Sequence, residues 1–303
     1  MCYLVTMTDK VTLNVIADSD PLLPIELQEC IDSGAKKLPT DKYHISYSEM
    51  VDWSDCSYRH KLKHINKIGM DGPTEHTEFG GVVHDAIEQY LLGNAPLDAD
   101  LTGKKVIETL TALPNFKGNA QEWADAVKPI FDELPDFLKN SFPNYSVVSA
   151  EFQLMEQLEK KKTRFFKGFI DGIFQTEKIN LRKKDPTPET IYYIVDWKTT
   201  SWGWSIDKKR DPKKQMQLVL YKYFWCRKNN IPLEQVKCAW VLLKRTAKPG
   251  AHIELVPVSV GEKSIEKALS TVYSMLNSIE KGIYTKNRNS CKFCPYSNTE
   301  NCV

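Results

Sequence analysis

The sequence predicts an α/β fold in which one sheet is flanked by helices, and three observations carry the prediction. Apolar residues recur at helical spacing from about Ile45 to Asn140, and after Pro143 the texture changes to β-branched and aromatic runs. A helical stretch then separates these runs from two later strand-like segments. At 303 residues, one compact unit with helical additions is expected.

The elements follow in order. Residues 1-43 read as an extension without an interpretable motif, with a short β-like run at Val11 to Ala17 before Asp/Pro-rich punctuation. From about Ile45 the pattern turns helical: Ser46 and Glu49 have capping-box spacing, and Met50, Trp53, Leu62 and Ile65 supply apolar positions. A helix is expected from about Thr77 to Leu92 and two more between Leu101 and Asn140, which makes residues 44-142 a mainly helical region. Val147 to Leu154, Phe165 to Phe174 and Thr190 to Asp196 are predicted as consecutive strands of one sheet. The charged insert Glu177 to Glu189, with Pro186 and Pro188, reads as a long exposed connection. A helix over Pro212 to Lys228, strands over Val236 to Lys244 and His252 to Val260, and a last helix over Glu262 to Lys281 complete a core of residues 143-284. Residues 285-303 form a cysteine-bearing tail.

Composition narrows the class. Apolar residues make up 42% and charged residues 26%, enough to build a packed core, which argues against a disordered chain. A net charge of +2 does not by itself point to nucleic acid. Local basic runs do offer a phosphate track: Lys160-Lys161-Lys162, Lys183-Lys184, and Lys208-Lys209-Arg210 with Lys213-Lys214. As solvated loops, the same runs would need no function. No stretch approaches the roughly 20 apolar residues that span a bilayer, and no signal-like N-terminus is visible, so a cytoplasmic protein without a membrane partner is expected. Eight cysteines in such a chain suit metal ligation and buried thiols better than disulfides.

The chemistry starts at Asp196-Trp197-Lys198. On a strand, Asp196 and Lys198 project to the same side, so a carboxylate and an ammonium share one pocket. Phosphodiester hydrolysis needs a hard cation held by oxygen ligands, an activated water and a positive group near the developing charge. A surface ion pair would have the same Asp-x-Lys pattern, so its company matters. In Gly168-Phe169-Ile170-Asp171-Gly172 a carboxylate stands among glycines within a strand-like run, where glycine is costly unless something approaches the backbone closely. Gly80-Gly81-Val82-Val83-His84 sits on a helix with Glu88 one turn beyond the histidine, and Gln217 and Tyr221 lie one turn apart on the helix after the Asp-x-Lys strand.

The order Gly-x-x-x-His, Gly-x-x-Asp, Asp-x-Lys, Gln-x-x-x-Tyr resembles the motif series of the RecB-like branch of the PD-(D/E)XK nuclease superfamily. Ile45-Ser46-Tyr47-Ser48 through Cys56-Ser57-Tyr58-Arg59 resembles the segment that precedes the histidine there. The resemblance covers roughly residues 44-302 and implies a restriction-endonuclease-like central mixed sheet flanked by helices. It also implies a Mg²⁺- or Mn²⁺-dependent deoxyribonuclease acting on DNA as an exonuclease, on single strands or free ends. By that similarity His84, Asp171, Asp196 and the Trp197 backbone carbonyl would hold the metal, Lys198 would orient the attacking water, and Gln217 and Tyr221 would support the site or contact DNA. The family often has Glu where Asp196 stands, and the long Asp171 to Asp196 gap is assigned to the Glu177 to Glu189 insert.

The tail reads Cys291-Lys292-Phe293-Cys294, with Cys302 near its end. Three thiolates need a fourth ligand for a tetrahedral zinc site or a cubane cluster, and Cys56 leads, with Cys30 as a substitute. Iron-sulfur nucleases of this family, AddB-type and CRISPR-associated members among them, join one cysteine upstream of the histidine motif to three near the C-terminus. The resemblance therefore implies a [4Fe–4S] cluster on Cys56, Cys291, Cys294 and Cys302, with zinc as the alternative occupant, fastening the N-terminal helix to the tail. Cys2, Cys226 and Cys238 read as spare. Trp202 and Trp204, just beyond Lys198, suit either base stacking or the core. A non-cleaving DNA-binding or assembly subunit on the same fold is the second reading.

Overall fold

The structure, a computed structural model, describes residues 24–69, 72–179 and 187–302. Cys2, the Val11 to Ala17 run, Lys183-Lys184 and the centre of the Glu177 to Glu189 insert lie outside them.

Helix α1 (Ile25–Asp32) precedes strand β1 (His44–Ser46), and α2 (Tyr47–Asp55) follows at once. Ser46 caps α2 in a complete capping box with Glu49, as its spacing predicts. The residues just before that cap are strand rather than helix, because His44, Ile45 and Ser46 find a ladder beside Phe165, Phe166 and Lys167. Helix α3 (Ser57–His60) and a π-helical turn (Lys61–Ile65) lead to α4 (Glu75–Leu91). Where two helices were expected there are three: α5 (Ala99–Thr111), α6 (Ala120–Asp125) and α7 (Val127–Ser141). Pro129 explains the extra break, since it has no N–H to donate to the Asp125 carbonyl and its ring crowds that group.

The sheet contains β2 (Ser146–Leu158), β3 (Lys161–Ile179) and β4 (Pro188–Thr200). After α8 (Ile206–Arg210) and α9 (Pro212–Asn229) it adds β5 (Val236–Lys244) and β6 (Ile253–Val258), and α10 (Glu262–Glu280) closes the order. The result is a mixed six-stranded sheet, β1-β3-β4-β5-β6, with β2 paired to β3. The fold class matches the sequence expectation.

Strand β3 organises the site. One edge pairs antiparallel with β2 along most of its length. The other edge is shared: β1 runs parallel along Phe165 to Lys167, and β4 runs antiparallel from Gly172 to Ile179. Among the described residues, Gly168 to Asp171 has no strand partner on that edge, so the sheet forks there. The supposed insert is partly sheet, because Glu177, Lys178 and Ile179 pair with Thr190, Glu189 and Pro188. Lys178 and Glu189 stand directly opposite, a favourable cross-strand pairing that the charged composition concealed. Because the surplus length lies in a longer hairpin, the register Gly172↔Val195 still brings Asp171 beside Asp196.

Each face of the sheet carries its own core. Ile194, Trp240 and Leu242 pack with α9 and α10 through Leu220, Phe224, Val272 and Leu276. Val195, Trp197 and Val241 pack on the opposite face with α4 and α7 through Phe79, Val83, Ile130 and Leu134. Strands β2 and β3 exchange faces together in mid-length. Ala150 and Phe174 belong to one core, Phe152 and Ile170 to the other, yet the register is the same on either side of Glu151, at Ala150↔Gly172 and Phe152↔Ile170. The turnover falls at Glu151, whose φ of 49° is costly for a residue with a Cβ, opposite Asp171.

Candidate active site

A single cavity is lined by Ser46, Tyr47 and Ser48 at the start of α2, His84 of α4, Lys167 to Phe169 and Asp171 of β3, Asp196 and Lys198 of β4, and Gln217 and Tyr221 of α9. The side chains singled out in all four motifs therefore meet at the fork in the sheet. Trp197 does not turn its side chain into this space: its ring is buried on the opposite face beside Phe174. Its backbone N–H donates to Asp171 Oδ2 at 2.8 Å and fixes that carboxylate against the catalytic strand.

Two glycines make the assembly possible by being small. A Cβ on Gly168 would lie 2.5 Å from Tyr221 Cε1, so only glycine lets α9 bring that ring against β3. A Cβ on Gly80 would meet Thr199 Oγ1 at 3.1 Å, which shows how closely α4 crosses β4 one turn before His84. Gly81 has open space beside it and no such role.

The electrostatics are those of a desolvated site. Asp196 is fully buried, and Oδ1 of its carboxylate has no hydrogen-bond partner. Oδ2 is held by the Lys198 ammonium, with Nζ 2.6 Å away. Burial raises the Asp196 carboxyl to about 6; Lys198 opposes this and Asp171 adds to it. Asp171 is also raised, by burial against the pull of Lys198 and the Trp197 N–H. Burial alone would lower the Lys198 ammonium, and Asp196 and Asp171 together outweigh it, so Lys198 stays charged. Burial, with Lys198 adding to it, lowers His84 to about 4, which leaves a neutral imidazole. His84 Nδ1 is 3.8 Å from Asp171 Oδ2, while Nε2 is buried without a partner. Gln217 Nε2 donates to the Tyr221 hydroxyl at 3.2 Å.

Two buried carboxylates side by side, one with an unpartnered Oδ1, are costly without a cation between them. A divalent cation would offset that cost, and carboxylate oxygens with a neutral imidazole beside them suit Mg²⁺ or Mn²⁺. As placed, no three His, Cys, Asp or Glu side chains among the described residues are gathered tightly enough to hold a metal ion.

Glu151 is the residue that motif reading overlooks. Partial burial, with Asp171, Glu88, Asp85 and Asp196 adding to it, raises its carboxyl to about 7, which places it within the acidic field of the site. A charged residue inside the run Val147 to Leu154 was the available signal.

The four tail-associated cysteines also come together. Cys56, Cys291, Cys294 and Cys302 are free thiols lining a second cavity with Arg59 and Tyr296. The tail is clamped there by bonds from Thr285 N to Ser57 Oγ (2.7 Å), Asn287 N to Cys56 Sγ (3.4 Å) and Tyr296 Oη to the Ile68 carbonyl (2.6 Å). Cys30 is not a substitute ligand: it packs with Met155 and Phe165, and its thiol donates to the Lys162 carbonyl. Cys226 and Cys238 are core thiols, raised by burial to about 11 and about 12. Several lysines of the basic runs are engaged, Lys161 with Glu280, Lys213 with Asp55 and Lys209 with Glu254. Trp204 packs on Trp240, whereas Trp202 is 71% exposed and does not line the catalytic cavity.

With the fork, the two carboxylates and the lysine established, the class is a nuclease-type α/β fold. Residues 44–299 match the PD-(D/E)XK nuclease superfamily, and the chain belongs to it. A crystal structure of a proposed exonuclease from Eubacterium rectale has the same fold, with a TM-score of 0.51 and 14% identity over 85% of this chain and 89% of that one. None of the curated proteins matches. Nucleases of this superfamily generally use divalent metals. No helix among the described residues is long and apolar enough to cross a membrane.

Proposed function

We propose that this chain is a divalent-metal-dependent deoxyribonuclease of the RecB-like branch, hydrolysing DNA as an exonuclease on single strands or free ends. The observation that supports it most is the pair of buried carboxylates, Asp196 with an unpartnered Oδ1 and Asp171, sharing one cavity with His84 and a charged Lys198. Asp196, Asp171, His84 and the Trp197 carbonyl would hold Mg²⁺ or Mn²⁺. When bound, the cation supplies Lewis acidity and an acidified water. Lys198 orients the attacking water and offsets the charge that develops on phosphorus. The Trp197 N–H holds Asp171 in place, and Gln217 fixes the Tyr221 hydroxyl at the edge of the substrate space.

Cys56, Cys291, Cys294 and Cys302 line one cavity between the α2–α3 junction and the tail, and that shared lining supports a [4Fe–4S] cluster there, whose binding would draw the thiols closer than they stand. Zinc would use the same donors, and metal analysis of protein purified without oxygen separates the two. The function itself is tested by a time course on end-labelled single- and double-stranded DNA with Mg²⁺, Mn²⁺ or EDTA under anaerobic conditions. Cleavage that requires the metal is expected; binding without cleavage in either metal would make the chain a DNA-binding or assembly subunit instead.

A further inference from the structure

Phe169 presents an aromatic surface inside the catalytic cavity that the hydrolytic chemistry does not use. It is 39% exposed, although it lies in the central strand of the sheet. It stands in the stretch Gly168 to Asp171, where β3 has no strand partner on the forked edge. It is two residues from Asp171 and lines the same cavity as Asp196 and Lys198. The neighbouring Lys167 carries its ammonium 5.3 Å from the ring centroid, in cation–π range, and lines the cavity too. A flat apolar face beside a cation, two residues apart on a strand, matches a nucleotide: a base against the ring and a phosphate against the ammonium.

We propose that Phe169 is a specificity-determining residue that stacks on an unpaired nucleobase of the strand held at the active site, while Lys167 receives an adjacent phosphate. A paired base inside a duplex cannot offer its face to the ring, because neighbouring pairs already cover both faces. The site therefore selects single-stranded DNA or an end over the interior of a duplex. The inference rests on the nuclease reading for its substrate and adds a residue and a reason for the strand preference.

The test compares wild type with Phe169→Leu, Phe169→Ala and Phe169→Tyr on two oligomers of equal length. One is single-stranded DNA; the other has the same phosphodiester backbone with an abasic residue at every position. Binding is read by fluorescence anisotropy in Ca²⁺, and cleavage in Mn²⁺. Wild type and Phe169→Tyr should prefer the base-bearing strand roughly 5- to 100-fold, the range of one aromatic stack. Phe169→Leu and Phe169→Ala should lose that preference by weakening only toward the base-bearing strand, with affinity for the abasic oligomer unchanged. Equal discrimination by wild type and Phe169→Leu, or equal losses on both oligomers, would overturn the proposal. Base-dependent binding that needs the ring, without cleavage by wild type, would sustain the stacking role and defeat the nuclease reading alone.

Discussion

Replacing Gly168 by alanine inserts one methyl group at the tightest point of the site. The new Cβ would lie 2.5 Å from Tyr221 Cε1 and 3.2 Å from Cζ, so the ring must withdraw by about 1 Å to reach ordinary contact. Retreat is restricted. Tyr221 is 4% exposed, its ring stands 6.4 Å from that of Phe166, and its hydroxyl is held by Gln217. Overpacking of this kind costs about 1–3 kcal/mol. In a chain of this size that lowers Tm by roughly 1.5–5 °C. A misplacement of about 1 Å in a positioning group also costs on the order of 100-fold in rate. Gly168→Ala should therefore remain folded and lose roughly 100-fold in Mn²⁺-dependent cleavage of labelled DNA. Because the severe overlap is with one ring, and Phe166 Cε1 at 3.3 Å need give only slightly, the same substitution in a Tyr221→Ala background should cost less than about 3-fold. Equal losses in both backgrounds, or full activity of Gly168→Ala, would refute the steric reasoning.

Further predictions concern the helix, the acid limb and the tail. Gly80→Ala crowds Thr199 Oγ1 at 3.1 Å and should displace α4 and His84, lowering activity; Gly81→Ala faces open space and should retain activity while raising stability by about 0.5–1 kcal/mol, read by urea unfolding. Burial holds His60 at about 4, below its unfolded value of 6.5, so the native state binds fewer protons and stability falls as pH drops through this window. His60→Leu should therefore remove about 2 kcal/mol of the difference in unfolding free energy between pH 7 and pH 5. Asp52 resists burial through His64, Lys63 and Arg59, which hold its carboxyl at about 2, so its contribution is present above its unfolded 3.8 and is lost as pH falls toward 2. Asp52→Asn should lose about 2 kcal/mol at pH 7 and flatten that last acid limb. Cys56→Ser should abolish stoichiometric metal in the tail site and make residues 285–302 more protease-sensitive; unchanged iron or zinc content would exclude Cys56 as a ligand.

The elements were legible wherever local pattern and tertiary demand agreed. The Ser46–Glu49 cap and strand β5 stand where their residues place them, and the Asp-x-Lys alternation holds because β4 stays paired with β5 through Asp196, Trp197 and Lys198 after its β3 edge ends at Val195. His44 to Ser46 were misread because a three-residue strand has no periodicity of its own; only the β3 edge makes it strand. The Glu177 to Glu189 charges suggested a loop, yet as cross-strand partners they extend a hairpin. Asp171 and Asp196 were recognisable one by one, whereas their adjacency depends on register across that hairpin. Glu151 was hidden for a different reason: its place in the site requires a left-handed backbone in mid-strand, which no spacing rule anticipates for glutamate.

The central claim is that Asp196 is a metal ligand and Lys198 a charge-bearing catalytic group in one cavity. Mn²⁺ binding by calorimetry, paired with cleavage of labelled single-stranded DNA, separates these roles in wild type, Asp196→Asn and Lys198→Ala. Wild type should bind and cleave, Asp196→Asn should lose both, and Lys198→Ala should keep Mn²⁺ binding while its cleavage falls by at least roughly 100-fold. Metal-dependent cleavage by Lys198→Ala at the wild-type rate, or Mn²⁺ binding undiminished in Asp196→Asn, would contradict it.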